Sequence, residues 1–159
     1  MEPVEILAGA LKLEQEGQSF YQTLASQIHD PELIETFKLL AVDEVAHAGY
    51  IQRQLQALQG GAGWSSIPEL AAVEALDSGD PLFPQGKAAV EALPATPNEE
   101  DGLLFALGIE NKSYNLYRGY AQSLEDSAAR QLFMQLAAAE MSHFNVLMAR
   151  YESRFGYPR

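Results

Sequence analysis

No cysteine occurs among the 159 residues, which excludes disulfides, thiolate nucleophiles, iron–sulfur clusters and cysteine-bound zinc. Any bound metal must be held by oxygen and nitrogen. Basic side chains are also scarce, 10 against 22 acidic ones, and the formal net charge of −12 repels nucleic acid and anionic membrane. Glutamates buried around cations would neutralise part of that excess; a solvated, solubilising surface is its other use. No apolar run approaches the roughly 20 residues that a membrane span needs. The opening Met1-Glu-Pro-Val-Glu lacks a basic segment followed by an apolar one, so export is not expected and the cytoplasm is the expected location. The length fits one ordinary domain, residues 1–159.

Only three histidines are present, and two of them end Glu-x-x-His motifs: Glu44 with His47, and Glu140 with His143. The motifs lie 96 residues apart, and each follows a glutamate 30 residues upstream, Glu14 or Glu110. Carboxylate and imidazole at i and i+3 project from one helix face. The chain therefore offers four carboxylates and two imidazoles in two equivalent sets. The same 96-residue shift maps Ala10 onto Ala106, Leu11 onto Leu107, Tyr21 onto Tyr117, Asp30 onto Asp126, Phe37 onto Phe133 and Leu40 onto Leu136 without a gap. Two helical hairpins of one design are expected, related by a pseudo-twofold axis where their polar faces meet.

Apolar periodicity predicts the first helix over about residues 4–28, through Leu7, Leu11, Phe20, Leu24 and Ile28. Asp30-Pro31 combines an N-cap with proline at the first helical position, and a stripe through Phe37, Leu40, Ala41, Val45, Ala48, Ile51 and Leu55 carries the second helix to Gly60-Gly61. The joint is too short for anything but an antiparallel hairpin, 4–58. Residues 60–97 are rich in glycine and proline and read as a long crossover, with short helical fragments around 69–77 and 86–92. Asn98-Glu-Glu-Asp opens a third helix that runs to about Ser123, and a fourth runs from about Ala128 to Tyr151 through Leu132, Phe133, Leu136, Val146 and Leu147. They form the second hairpin, 98–151.

Glu14 and Glu44 lie 16 and 14 residues from Asp30, hence roughly 21 to 24 Å from the turn at a rise of about 1.5 Å per residue. Glu110 and Glu140 stand in the same relation to Asp126, so all four carboxylates can converge in one layer, with the histidines on the same faces. Four buried carboxylates repel one another unless cations or protons intervene, and two divalent ions would supply the missing charge. Oxygen-rich ligands with one imidazole per metal suit iron or manganese, and zinc would also bind. The zincin pattern is not met, because Asp43 and Ala139 precede the motif glutamates where a histidine would be needed. Tyr21 and Tyr117 fall two turns beyond the upstream glutamates on the same face, where they either hydrogen-bond the ligand carboxylates or pack in the core. His29 reads as a surface residue at the turn, and Trp64 and Phe83 in the crossover cap the bundle or serve a dimer contact.

The segments LEQEGQSFY and IENKSYNLY, with DEVAH and AEMSH, resemble the ferritin-like superfamily of carboxylate-bridged di-iron proteins, and within it the rubrerythrin-type branch. The resemblance covers both hairpins. It implies an all-α, ferritin-like four-helix bundle of two antiparallel hairpins joined by a long crossover. It also implies two irons, bridged or chelated by Glu44 and Glu140, with Glu14 and Glu110 as terminal carboxylates and His47 and His143 on one metal each. The implied activity is reaction of the reduced centre with peroxide or dioxygen, or oxidation of ferrous iron, in a homodimer. Two departures stand out. Typical rubrerythrins carry a cysteine-rich electron-donor domain, whereas a chain without cysteine must draw on an external donor or on iron itself. They also carry a seventh carboxylate one turn beyond the third-helix ligand, where Ser113 stands here, with Gly17 as its repeat equivalent.

Overall fold

A computed structural model describes residues 2–64 and 97–156. Four helices make up the described chain: α1 (Pro3–Gln27), α2 (Pro31–Gln59), α3 (Glu99–Ser123) and α4 (Ser127–Phe155). Each later helix begins on a side chain that satisfies its orphan amides. Asp30 accepts from the Leu33 amide, Asn98 from that of Asp101, and Asp126 from those of Ala128 and Ala129. The expected fragments at 69–77 and 86–92, and Phe83, lie outside the described residues. No helix among the described residues is long and apolar enough to cross a membrane.

Helices α1 and α2 run antiparallel with close backbones, as do α3 and α4, and the hairpins meet α1 against α3 and α2 against α4. Their relative direction follows from contacts at one end of the bundle. Beside the α1–α2 turn, the His29 amide donates to the Glu99 carboxylate at 3.4 Å, and the Arg154 guanidinium binds Asp30 at 3.1 Å and Glu32 at 2.8 Å. The start of α3 and the end of α4 thus lie where α2 begins. Helices α2 and α3 run in the same direction, and the hairpins are inverted relative to each other.

The inversion gives two apolar clusters, one toward each end, exchanged by the sequence repeat. One holds Tyr21, Phe37, Leu40, Ala41, Leu103 and Ala106; the other holds their equivalents Tyr117, Phe133, Leu136, Ala137, Leu7 and Ala10. Trp64 packs, partly buried, against the second cluster. His29 is exposed, as expected.

Two details differ from the sequence expectation. Helix α4 continues to Phe155, because Arg154 is anchored on Asp30 and Glu32 and the Tyr151 and Phe155 rings meet at 5.2 Å; Gly156, at φ 78°, then stops it. Val45 and Val146, placed in the apolar stripes, are 49% and 41% exposed. Each lies beside the inward face of its helix, one residue and so about 100° around the axis from buried Glu44 or buried Leu147.

Candidate metal centre

On every helix, candidate ligands occupy positions that the inward stripe would otherwise give to apolar residues. Glu14 falls between Leu7, Ala10, Gly17 and Tyr21 on α1, and Glu110 between Leu103, Ala106, Leu107 and Tyr117 on α3. Glu44 and His47 continue Phe37, Leu40 and Ala41 on α2; Glu140 and His143 continue Phe133, Leu136 and Ala137 on α4. All six are buried. They form a polar layer between the two apolar clusters.

The layer resolves into two overlapping sets. Glu14, Glu44, His47 and Glu140 each offer a ligand atom within 4.8 Å of the others, and so do Glu44, Glu110, Glu140 and His143. Glu44 and Glu140 belong to both. His47 Nδ1 lies 3.3 Å from Glu14 Oε2 and 3.7 Å from Glu140 Oε1. His143 Nδ1 lies 3.3 Å from Glu44 Oε1, 3.4 Å from Glu110 Oε1 and 3.5 Å from Glu140 Oε2. The two imidazoles stack at 5.5 Å, tilted by 15°.

Both tyrosines bond the ligand carboxylates rather than only packing. Tyr21 donates to Glu110 Oε1 and Tyr117 to Glu14 Oε1, each reaching from its own hairpin to the other. Asp43, which no spacing in the sequence marks as a site residue, accepts from His143 Nε2 at 3.1 Å. Gly17 is a second residue that periodicity could not single out. A Cβ there would stand 3.2 Å from Glu44 Oε2, so the missing side chain leaves room for that carboxylate against α1.

Electrostatics divides the carboxylates into pairs. Desolvation raises Glu44 and Glu140 well above the usual carboxylate range, reinforced by their mutual repulsion at Glu44 and by Glu110 at Glu140. Burial works the same way on Glu14 but is outweighed by hydrogen bonds with Glu44, His47 and Tyr117, which bring it down to about 2. Glu110 is lowered despite its burial, chiefly by the charge on His143. Burial also opposes charge on the imidazoles, yet Glu14 raises His47, and Glu110 with Asp43 raises His143 well above its ordinary value. Without metal, the upward shifts of Glu44, Glu140, His47 and His143 all favour bound protons, which offset charge in the layer.

Protons offset charge but leave donor atoms without well-aligned partners. Glu110 Oε2 and His143 Nδ1 are buried without a hydrogen-bond partner, the latter despite three carboxylate oxygens within 3.5 Å. Oxygens gathered around a nitrogen at the wrong angle for hydrogen bonding suit a cation between them. The six side chains thus fit two metal ions by donor type, charge and placement.

A four-helix bundle with a buried carboxylate–histidine layer able to hold metal ions is the class that fold and site define. The family model described as "Ferritin-like domain" matches residues 2–152, nearly the whole chain. The chain belongs to that family. No curated protein and no solved structure matches it.

Proposed function

We propose that the chain is a di-metal carboxylate protein, with iron as its metal, acting as a rubrerythrin-type oxidoreductase that reduces peroxide or dioxygen or oxidises ferrous iron. The observation that carries this reading is the pair of buried sets sharing Glu44 and Glu140. In it, Glu44 and Glu140 would bridge or chelate, Glu14 and His47 would complete one position, and Glu110 and His143 the other. When bound, the metal pair would supply two adjacent one-electron donors for an O–O bond. The chain's own contribution is placement: Tyr21 and Tyr117 fix the outer carboxylates, and the apolar clusters keep water from either end of the layer.

Reduced, iron-loaded protein mixed with peroxide should be oxidised within one turnover, and Glu110→Ala or His143→Ala should abolish this. Unchanged reactivity in those variants would refute the assignment. Electrons for repeated cycles would come from an external donor protein, and the assembly would be a cytoplasmic homodimer.

Ser113 favours a second reading, an iron-handling module without turnover. It is buried one turn beyond Glu110, where rubrerythrins place an additional carboxylate, and its repeat equivalent Gly17 offers no ligand either. Single oxidation with retained ferric iron would support this reading, and sustained turnover with an added reductase would exclude it.

A further inference from the structure

The repeat that builds the site is broken beside one of its two histidines. Asp43 accepts from His143 Nε2 at 3.1 Å, and the 96-residue shift carries Asp43 onto Ala139, which has no carboxylate to offer His47. A carboxylate behind a histidine fixes ring orientation, keeps hydrogen on the outer nitrogen and makes the inner one a better ligand. At His143 that leaves Nδ1 facing Glu44, Glu110 and Glu140.

A second difference lies inside the layer. Around His47 the ligand atoms satisfy each other: Nδ1 is hydrogen-bonded to Glu14 Oε2 at 3.3 Å. Around His143 the corresponding atoms are unpartnered, His143 Nδ1 and Glu110 Oε2 both being buried with no hydrogen-bond partner. An ion entering the His47 half must break an existing interaction. In the His143 half Nδ1 faces three carboxylate oxygens at 3.3 to 3.5 Å with no well-aligned hydrogen bond to any of them, and buried polar atoms held in that way raise the free energy of the empty site.

We infer that the two metal positions are unequal, and that the first divalent ion enters the half formed by His143 and Glu110, with Asp43 as its positioning residue. This rests on the di-metal reading above and adds an order of filling to it. Asp43 is suited to the task because its side chain is 57% exposed on the outer side of α2, so it holds His143 without adding a further buried charge to the layer.

The chain's three histidines make the order directly readable. Full-length protein with 15N-labelled histidine is titrated with Zn(II), and the ring signals are assigned with His29→Gln and His47→Gln. The first equivalent should move the His143 Nδ1 signal to its metal-bound position while His47 stays put; the second should move His47, and exposed His29 should move in neither step. Calorimetry should resolve a tighter first step. In Asp43→Ala that step should weaken by about 10- to 100-fold, with the two signals then moving together. The inference is overturned if His47 fills first or with His143 in the unaltered protein, or if Asp43→Ala preserves both order and affinity. Failure of zinc to bind either histidine would instead remove the di-metal reading, so the two failures are distinguishable.

Discussion

Tyr21 of the first hairpin donates its phenolic hydrogen to Glu110 of the second, and the repeat returns the bond as Tyr117 to Glu14. Glu110 and Glu14 are therefore each oriented by the hairpin that does not carry it, so docking of the hairpins and geometry of the site are one event. Tyr21→Phe leaves Glu110 Oε1 buried without that donor and should cost about 1–3 kcal/mol, with Tyr117→Phe similar. Denaturant unfolding of the metal-free protein measures both. A loss below a few tenths of a kcal/mol would mean the hydroxyls contribute nothing to docking.

Gly17 should separate stability from metal binding. Alanine is favoured over glycine in a helix interior by about 1 kcal/mol, which the Cβ contact with Glu44 offsets, so Gly17→Ala should change the stability of the metal-free protein little. Its new Cβ would press on Glu44 Oε2 at 3.2 Å and should lower metal affinity. Calorimetric titration alongside thermal melts reads both effects, and unchanged affinity would show that Glu44 has room to yield.

The pH dependence of stability follows from the direction of each shift. Glu44, Glu140, His47 and His143 are raised in the fold, so their contributions are fully present below the ordinary values of 4.5 and 6.5 and are lost as pH rises through the folded values. Glu14, Glu110, Asp43 and Asp30 are lowered, and their contributions are lost as pH falls below the ordinary carboxylate range, toward about 2 for Glu14. Metal-free protein should be most stable in weak acid, with a Tm that declines toward alkaline pH. Two equivalents of metal should remove or reverse that decline. A metal-free Tm that climbs steadily from pH 5 to 8 would contradict the protonation pattern.

Metal should enter by displacing those protons. Glu44, Glu140, His47 and His143 all have their protonated forms favoured by the fold, so binding of divalent ions should release protons. A pH-stat titration counts them. Release close to zero would mean that the layer is already deprotonated.

The architecture was legible because its signals are periodic. Leucine and phenylalanine spacing defines the helices, Asp30 and Asp126 mark their restarts, and equal distances from those turns place Glu14, Glu44, Glu110 and Glu140 at one height. What one chain's periodicity cannot supply is rotation between hairpins. Tyr21 was therefore ambiguous between bonding a carboxylate and packing in the core until α1 was set against α3. Asp43 escaped for a related reason: it lies on the outer side of α2, and only the neighbouring α4 gives it His143 as a partner. The single sequence hint was its mismatch with Ala139 across an otherwise close repeat. Val45 and Val146 show the opposite failure, because hydrophobicity alone does not tell an inward position from one beside it.

Metal content decides whether these six side chains hold two metal ions in one chain. Protein stripped of metal, reconstituted anaerobically with ferrous iron and freed of excess, should retain two irons per chain by elemental analysis, and substantially fewer in Glu44→Ala, where a carboxylate shared by both sets is gone. Retention of no stoichiometric iron, or equal retention with Glu44 removed, would contradict the account.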